Sequence, residues 1–82
     1  MLPDLESLRC FVAAAELLNF RAAARQVALS PAALSQRIRS IEEQLQTPLF
    51  QRTTRRVHLT AAGLSLYPVA KKTLESAAEC RQ

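Results

Sequence analysis

Four apolar residues, Leu34, Ile38, Ile41 and Leu45, follow Ser30-Pro31 at spacings of four, three and four, and no other feature of the 82-residue chain restricts its fold as tightly. At 100° per residue these positions fall within a narrow arc of an α-helix. Ser30 can cap the free N–H groups of that helix, and Pro31 at its first position loses nothing by lacking its own. Thr47-Pro48 ends it. The apolar arc is core; on the opposite arc lie Ala32, Gln36, Arg39, Ser40 and Glu43, flanked by Ser35 and Arg37. That face carries small, amide and guanidinium groups and is free to meet a partner.

The surrounding sequence supplies companions for this helix. Leu5, Leu8, Phe11, Val12, Ala15 and Leu18 recur at three- and four-residue spacing after Asp4, a capping residue, and predict a first amphipathic helix. Asn19-Phe20 breaks that pattern, and residues 21–27 form a short Ala-rich second helix whose small side chains permit close approach of a neighbour. Ala28-Leu29 is the turn into the third helix. Leu49-Phe50-Gln51-Arg52 and Val57-His58-Leu59, either side of the polar tip Thr53-Thr54-Arg55-Arg56, predict a small β-hairpin, a wing. Thr60 caps a last helix running from Ala61 towards Gln82, about five or six turns long, in which Pro68 predicts a local kink.

One domain of this size leaves no room for a second. About half the residues are apolar and only one is glycine, so the architecture is mainly α. The formal net charge of +4 is unevenly placed: residues 21–56 carry seven arginines against Glu42 and Glu43, while the remainder is slightly acidic. Localised positive charge of this kind suits a polyanion, although a solvated surface accounts for charge alone equally well. Cys10 sits within an apolar helical pattern and reads as a reduced, packed thiol, and Cys80 lies far from it with no metal-ligand spacing. No apolar run reaches a membrane span and no signal peptide is present, so a cytoplasmic location is expected. There is no Gly-rich phosphate loop, no nucleophile with a base at a recognisable spacing and no metal constellation, which argues against an enzyme and against a cofactor.

A short helix, a tight turn and a second helix with a polar outer arc meet the needs of major-groove readout, because that groove admits one α-helix and reads its N-terminal side chains. Ser35 and Gln36 can hydrogen-bond base edges, Ala32 and Ala33 can touch thymine methyls, and Arg37 and Arg39 can reach guanine or phosphate. Spacing alone fits a three-helix bundle with a wet outer face equally well. Arg55 and Arg56 at the wing tip favour nucleic acid, since they would project beside the third helix towards the backbone or minor groove. A helical protein-interaction module, with the last helix as its working surface, is the competing class. His58 reads as a solvated strand residue. Glu42 and Glu43 would repel phosphate, so they are expected away from a duplex, with Glu42 paired to an arginine.

Six segments in order carry a family resemblance: Leu5-x-x-Leu8-x-x-Phe11; Asn19-Phe20 with Ala23-Ala24; Ser30 with Ala33-Leu34-Ser35; Ile38 with Ile41-Glu42; Leu49-Phe50-x-Arg52; and Leu59-Thr60-x-x-Gly63. The chain resembles the N-terminal domain of the LysR-type transcriptional regulators along essentially its whole length. The resemblance implies a winged helix-turn-helix in residues 1–59, three helices plus a two-stranded β wing, and a dimerising linker helix in residues 60–82. It implies double-stranded DNA as partner, recognised at an interrupted inverted repeat by a homodimer, with tetramerisation of the full-length protein left open. It also implies that a C-terminal domain binding a small-molecule effector lies outside these residues, which are then a piece of a longer protein. DNA contacts carried over from the family fall on Pro31, Ala32, Ser35, Gln36 and Arg55, with the motif Arg52 on a phosphate or in a structural ion pair. Together with Ser30, Ala33, Arg37, Arg39 and Arg56 these form the expected DNA-binding set. Leu66, Tyr67, Val69, Ala70, Leu74 and Ala77, more apolar surface than one small domain buries, form the expected dimer interface. Three positions depart from the family pattern. Arg21 replaces a usual Thr, removing a capping residue from the second helix and adding a charge that could face phosphate. Gln46 stands where Gly is common, which speaks against a left-handed helix end. Pro31 replaces a frequent Gln and so removes one base contact.

Overall fold

Asp4 starts the first helix, α1 (Leu5–Leu17), by accepting the Ser7 N–H at 2.7 Å on its side chain. Leu8, Phe11, Ala14 and Ala15 turn inwards from α1, and Leu18 closes it in the left-handed region. The computed structural model describes residues 3–53 and 56–80, with the side chains of 78–80 excepted. Asn19 then caps α2 (Phe20–Gln26), its side-chain oxygen accepting the Ala22 N–H at 3.0 Å. The arginine at position 21 therefore costs the helix no cap, because the capping residue lies two positions earlier.

Ala23 and Ala24 are buried, and with nothing beyond Cβ they let α2 lie close against its neighbours. The chain reverses through Val27, Ala28 and Leu29, with the Leu29 N–H bonded to the Ala24 carbonyl at 2.8 Å. Ser30 accepts the Ala33 N–H at 3.1 Å and α3 runs over Pro31–Leu45. Leu34, Ile38 and Ile41 are fully buried, whereas Leu45, the last of the spaced set, is 37% exposed where the helix outruns the core. Gln46 adopts φ 54°, and the Thr47 N–H bonds to the Glu42 carbonyl at 3.1 Å. The left-handed helix end is thus kept without glycine, contrary to the sequence expectation, because this backbone bond holds it.

Strands β1 (Phe50–Arg52) and β2 (Val57–Leu59) pair antiparallel, with Phe50 opposite Leu59, Gln51 opposite His58 and Arg52 opposite Val57. Their base is pinned from three sides. One carboxylate oxygen of Glu42 accepts the Leu49 N–H at 2.7 Å and the Phe50 N–H at 3.3 Å, so Glu42 serves backbone amides, and among the described residues no arginine pairs with it as expected. The Phe50 ring meets the edges of Phe11 and Phe20 at centroid distances of 5.6 and 5.3 Å. Thr60 donates its N–H to Leu49 and its hydroxyl to the Pro48 carbonyl, while accepting the Gly63 N–H as the cap of α4 (Ala61–Cys80).

The last helix continues through Pro68 as one element and packs on α1 and, at its start, on β2. Along α4, Tyr67, Ala70 and Leu74 share an inner stripe against the core, and Ala70 is only 1% exposed. Ala70 therefore has no surface to offer a second chain, because α1 already covers it. Tyr67 donates its hydroxyl to Glu16 at 2.5 Å, and Lys71 reaches the same oxygen at 3.0 Å. Leu66 is half-buried against the core at the edge of this stripe, and beyond it the helix turns outwards, with Val69 55% exposed. No helix among the described residues is long and apolar enough to cross a membrane.

Among the described residues the left-handed positions are Leu18, Ala28 and Gln46, while the chain's one glycine serves close packing instead. A Cβ on Gly63 would sit 2.3 Å from the Leu49 carbonyl oxygen and 2.8 Å from Leu59. Gly63→Ala should therefore destabilise by about 2 kcal/mol or more, since backbone must move to admit the methyl, although Ala normally favours a helix. Ala28→Gly should be neutral or stabilise by up to about 1 kcal/mol by relieving a left-handed alanine. Chemical denaturation of both variants checks the opposite signs.

Candidate nucleic-acid interface

The first turns of α3 stand clear of the core because Leu34 and Ile38 bury the opposite side of the helix. Pro31, Ala32, Gln36, Arg39 and Ser40 are exposed, and Ser35 is half-buried beside them. From Ala32 through Gln36 and Arg39 the spacing is four and three, so these side chains rise along one face of the helix. Ser30 uses its oxygen inwards as the cap, which leaves its hydroxyl proton available to a further acceptor.

Ala33 and Arg37 belong to the flank of α3. They line a groove with Asp4, Ser7, Gln36 and Ser40, and the Arg37 guanidinium lies 3.8 Å from the Asp4 carboxylate. That distance makes a weak pair, which a phosphate could displace. Arg39 has no acidic partner among the described residues.

Arg52 lies with its guanidinium 4.3 Å from the centre of the Phe20 ring. Neither of the roles expected of it, a phosphate contact or an ion pair, is needed to hold it there, since the aromatic face attracts the cation. Its side chain remains exposed. Arg56 is exposed too, and its backbone closes the wing tip: its N–H donates to the Thr53 hydroxyl at 3.0 Å, and its carbonyl accepts the Thr53 N–H at 2.9 Å. Arg55 lies outside the described residues.

Two cations extend the set named from the sequence. Arg21 and Arg25 stand one turn apart on α2, both exposed and with no acidic partner among the described residues. Like charges at this spacing repel by a few tenths of a kcal/mol, roughly, which an anionic partner would reverse. Arg21 and Arg25 line a groove with Ala24, Leu29 and Pro31, and Arg21 also borders a second groove with Asn19, Thr53 and Arg56. A band of positive charge thus runs from α2 to the wing past the start of α3. The sequence signal for it was the i, i+4 pair itself.

The remaining chemistry is quiet. Burial pushes the Cys10 thiol up, away from the reactive thiolate form. His58 is exposed opposite Gln51.

A tri-helical core with two helices joined by a tight turn and a hairpin beside the second defines a winged helix-turn-helix domain. The family model for bacterial regulatory helix-turn-helix proteins of the lysR family matches residues 5–64, and the chain belongs to that family. It is 48% identical over 72 residues to the uncharacterised HTH-type transcriptional regulator y4mQ of Sinorhizobium fredii, a stretch covering 88% of this chain and 24% of that protein. Among solved structures, oxidised Corynebacterium glutamicum OxyR superposes with a TM-score of 0.92 at 40% identity, over 96% of this chain and 24% of that one. The DNA-binding domain of CbnR in its complex with DNA superposes with a TM-score of 0.88 at 31% identity, over 94% of this chain and 88% of that one. The chain thus spans about a quarter of the length of y4mQ and of OxyR.

Among the described residues, the carboxylates of Asp4 and Glu16 are held below their ordinary range. The Ser7 backbone N–H lowers Asp4, and the Tyr67 hydroxyl, followed by Lys71, lowers Glu16. A carboxylate lowered on folding stabilises the fold above its unfolded pKa, and that share is lost as pH falls through the folded one. Melting temperature should therefore be level near neutrality, begin to drop near pH 4 and continue downwards below it. Tyr67→Phe should return the Glu16 carboxyl towards its ordinary titration range, read by NMR.

Proposed function

We propose that this domain binds duplex DNA sequence-specifically as a dimer, with α3 in the major groove and the wing on the adjoining groove, and so regulates transcription. The observation that carries the reading is the exposed face of Ala32, Gln36 and Arg39 on α3, bordered by cations on α2 that have no acidic partner among the described residues and by Arg56 on the wing. Likeness to a domain solved in complex with DNA supports it.

Each group has a distinct part on this reading. Gln36 can donate to N7 and accept from N6 of adenine together, which no other base offers in that geometry. Ala32 can lie against a thymine methyl, Ser35 can bond a base edge, and Arg39 can bridge to guanine or to a phosphate. Arg21, Arg25 and Arg56, with Arg55, neutralise phosphates and release counterions, which supplies affinity without sequence preference. A small-molecule effector, on this reading, acts through residues beyond this domain.

The outer stripe of α4 provides the dimer contact. Val69 is its exposed apolar centre, with the half-buried Leu66 and Ala77 at its edge; Leu64, 62% exposed near the helix start, adds to the apolar surface but was not in the sequence-derived set. Two copies of α3 related by a two-fold axis would then address an inverted repeat on one face of the duplex.

Replacing Gln36 by Ala should cost about 1–3 kcal/mol on a site selected from random sequence and far less on unselected DNA. Arg56→Ala should weaken binding to both DNAs alike and lower the salt slope by about 1 per chain. Salt titrations of both variants on both DNAs measure the two effects, and equal loss by the Gln36 variant on both would exclude base readout by α3. Val69→Glu, at a position exposed within one chain, should leave the circular dichroism unchanged and convert a sedimenting dimer into a monomer.

A further inference from the structure

We propose that Glu16, Tyr67 and Lys71 are positioning residues that set the distance between the two half-sites a dimer of this chain recognises. The inference rests on the function proposed above and adds to it a determinant of spacing. The helix that would pair two copies leaves the body over α1, and the apolar part of that seam is Ala70 with the partly buried Leu66 and Leu74. Alanine against a helix face is a smooth contact, and apolar attraction has no preferred direction. The start of α4 is tethered by the Thr60 bonds to Leu49 and Pro48; along the seam beyond it, rotation of the helix is opposed by directional side-chain bonds at one place among the described residues. There the Glu16 carboxylate in the last turn of α1 accepts the Tyr67 hydroxyl at 2.5 Å and the Lys71 ammonium at 3.0 Å. Lys71 also donates to the Tyr67 oxygen at 3.4 Å and lies 5.7 Å from its ring centre.

The network adds little to stability, because its charged side chains are 37% and 50% exposed and such pairs are screened by water. What it supplies is orientation. The domain is 42 Å along its longest axis, so a tilt of about 10° at the seam moves α3 by about 3.5 Å over a lever of about 20 Å, roughly the rise of one base pair. The protomers carry one network each, so a bias of about threefold to fivefold per protomer becomes about 10- to 25-fold in the dimer. A weak surface cluster can therefore choose between neighbouring spacings without holding the fold together.

The test uses the 82-residue chain and half-sites selected from random DNA, presented singly and as inverted pairs whose separation increases one base pair at a time. The wild-type chain should prefer one separation over its neighbours by about tenfold or more. Tyr67→Phe and Glu16→Ala should keep single half-site affinity within about twofold while the preference falls to about threefold or less. The charge-swapped double variant Glu16→Lys, Lys71→Glu should restore much of it. Tyr67→Phe removes one hydroxyl from a half-buried ring, so it keeps the test open even if Glu16→Ala melts early. A sharp profile that persists in folded Tyr67→Phe, or a flat profile already in the wild type, overturns the inference while leaving DNA binding intact. A wild-type chain that prefers no selected site over random DNA overturns the proposed function instead, and this inference with it.

Discussion

The wing can act beside α3 only because the Phe50 ring is locked between Phe11 of α1 and Phe20 at the start of α2. Both aromatic contacts are edge-on, with interplanar angles of 62° and 83°, the arrangement that ring quadrupoles favour. One residue thereby joins the first two helices to a hairpin of three-residue strands that has too few hydrogen bonds to hold itself. The Glu42 carboxylate ties the same stretch to α3 through two backbone amides, and the Leu49 carbonyl takes the Thr60 N–H while resting against Gly63. Residues 48–50 are thus the junction at which α3, α4 and the wing acquire fixed relative positions.

The distribution of acids follows from the same economy of bonding. Asp4 caps α1, Glu16 receives Tyr67 and Lys71, and Glu42 holds the wing base. These three acids are committed to internal bonds, while Arg21, Arg25 and Arg39 stay unpaired among the described residues.

The last helix presents two faces with different surroundings. Its inner stripe belongs to the domain, with Ala70 sealed against the core, and its outer face is free because α1 covers only one side of the helix. An apolar list read from sequence merges these stripes. They lie only a few tens of degrees apart on the helix, and period alone cannot say which of two adjacent arcs faces the neighbour.

Much was written in the chain itself. Asp4, Ser30 and Thr60 are capping residues whose side-chain oxygens satisfy local N–H groups, and local hydrogen bonding needs no tertiary partner to be foreseen. The Leu34, Ile38 and Ile41 spacing fixed the buried face of α3, and with it the outward face of Ala32, Gln36 and Arg39, because a helix has one period. The partner of Glu42, the seat of Arg52 over Phe20, the burial of Ala70 and the Glu16–Tyr67–Lys71 cluster were decided by tertiary structure alone. Glu16 and Tyr67 are 51 residues apart in sequence, and Arg52 is far from Phe20 along the chain. Such contacts depend on how rigid elements are brought together in space, and the pattern within any one element carries no measure of that distance.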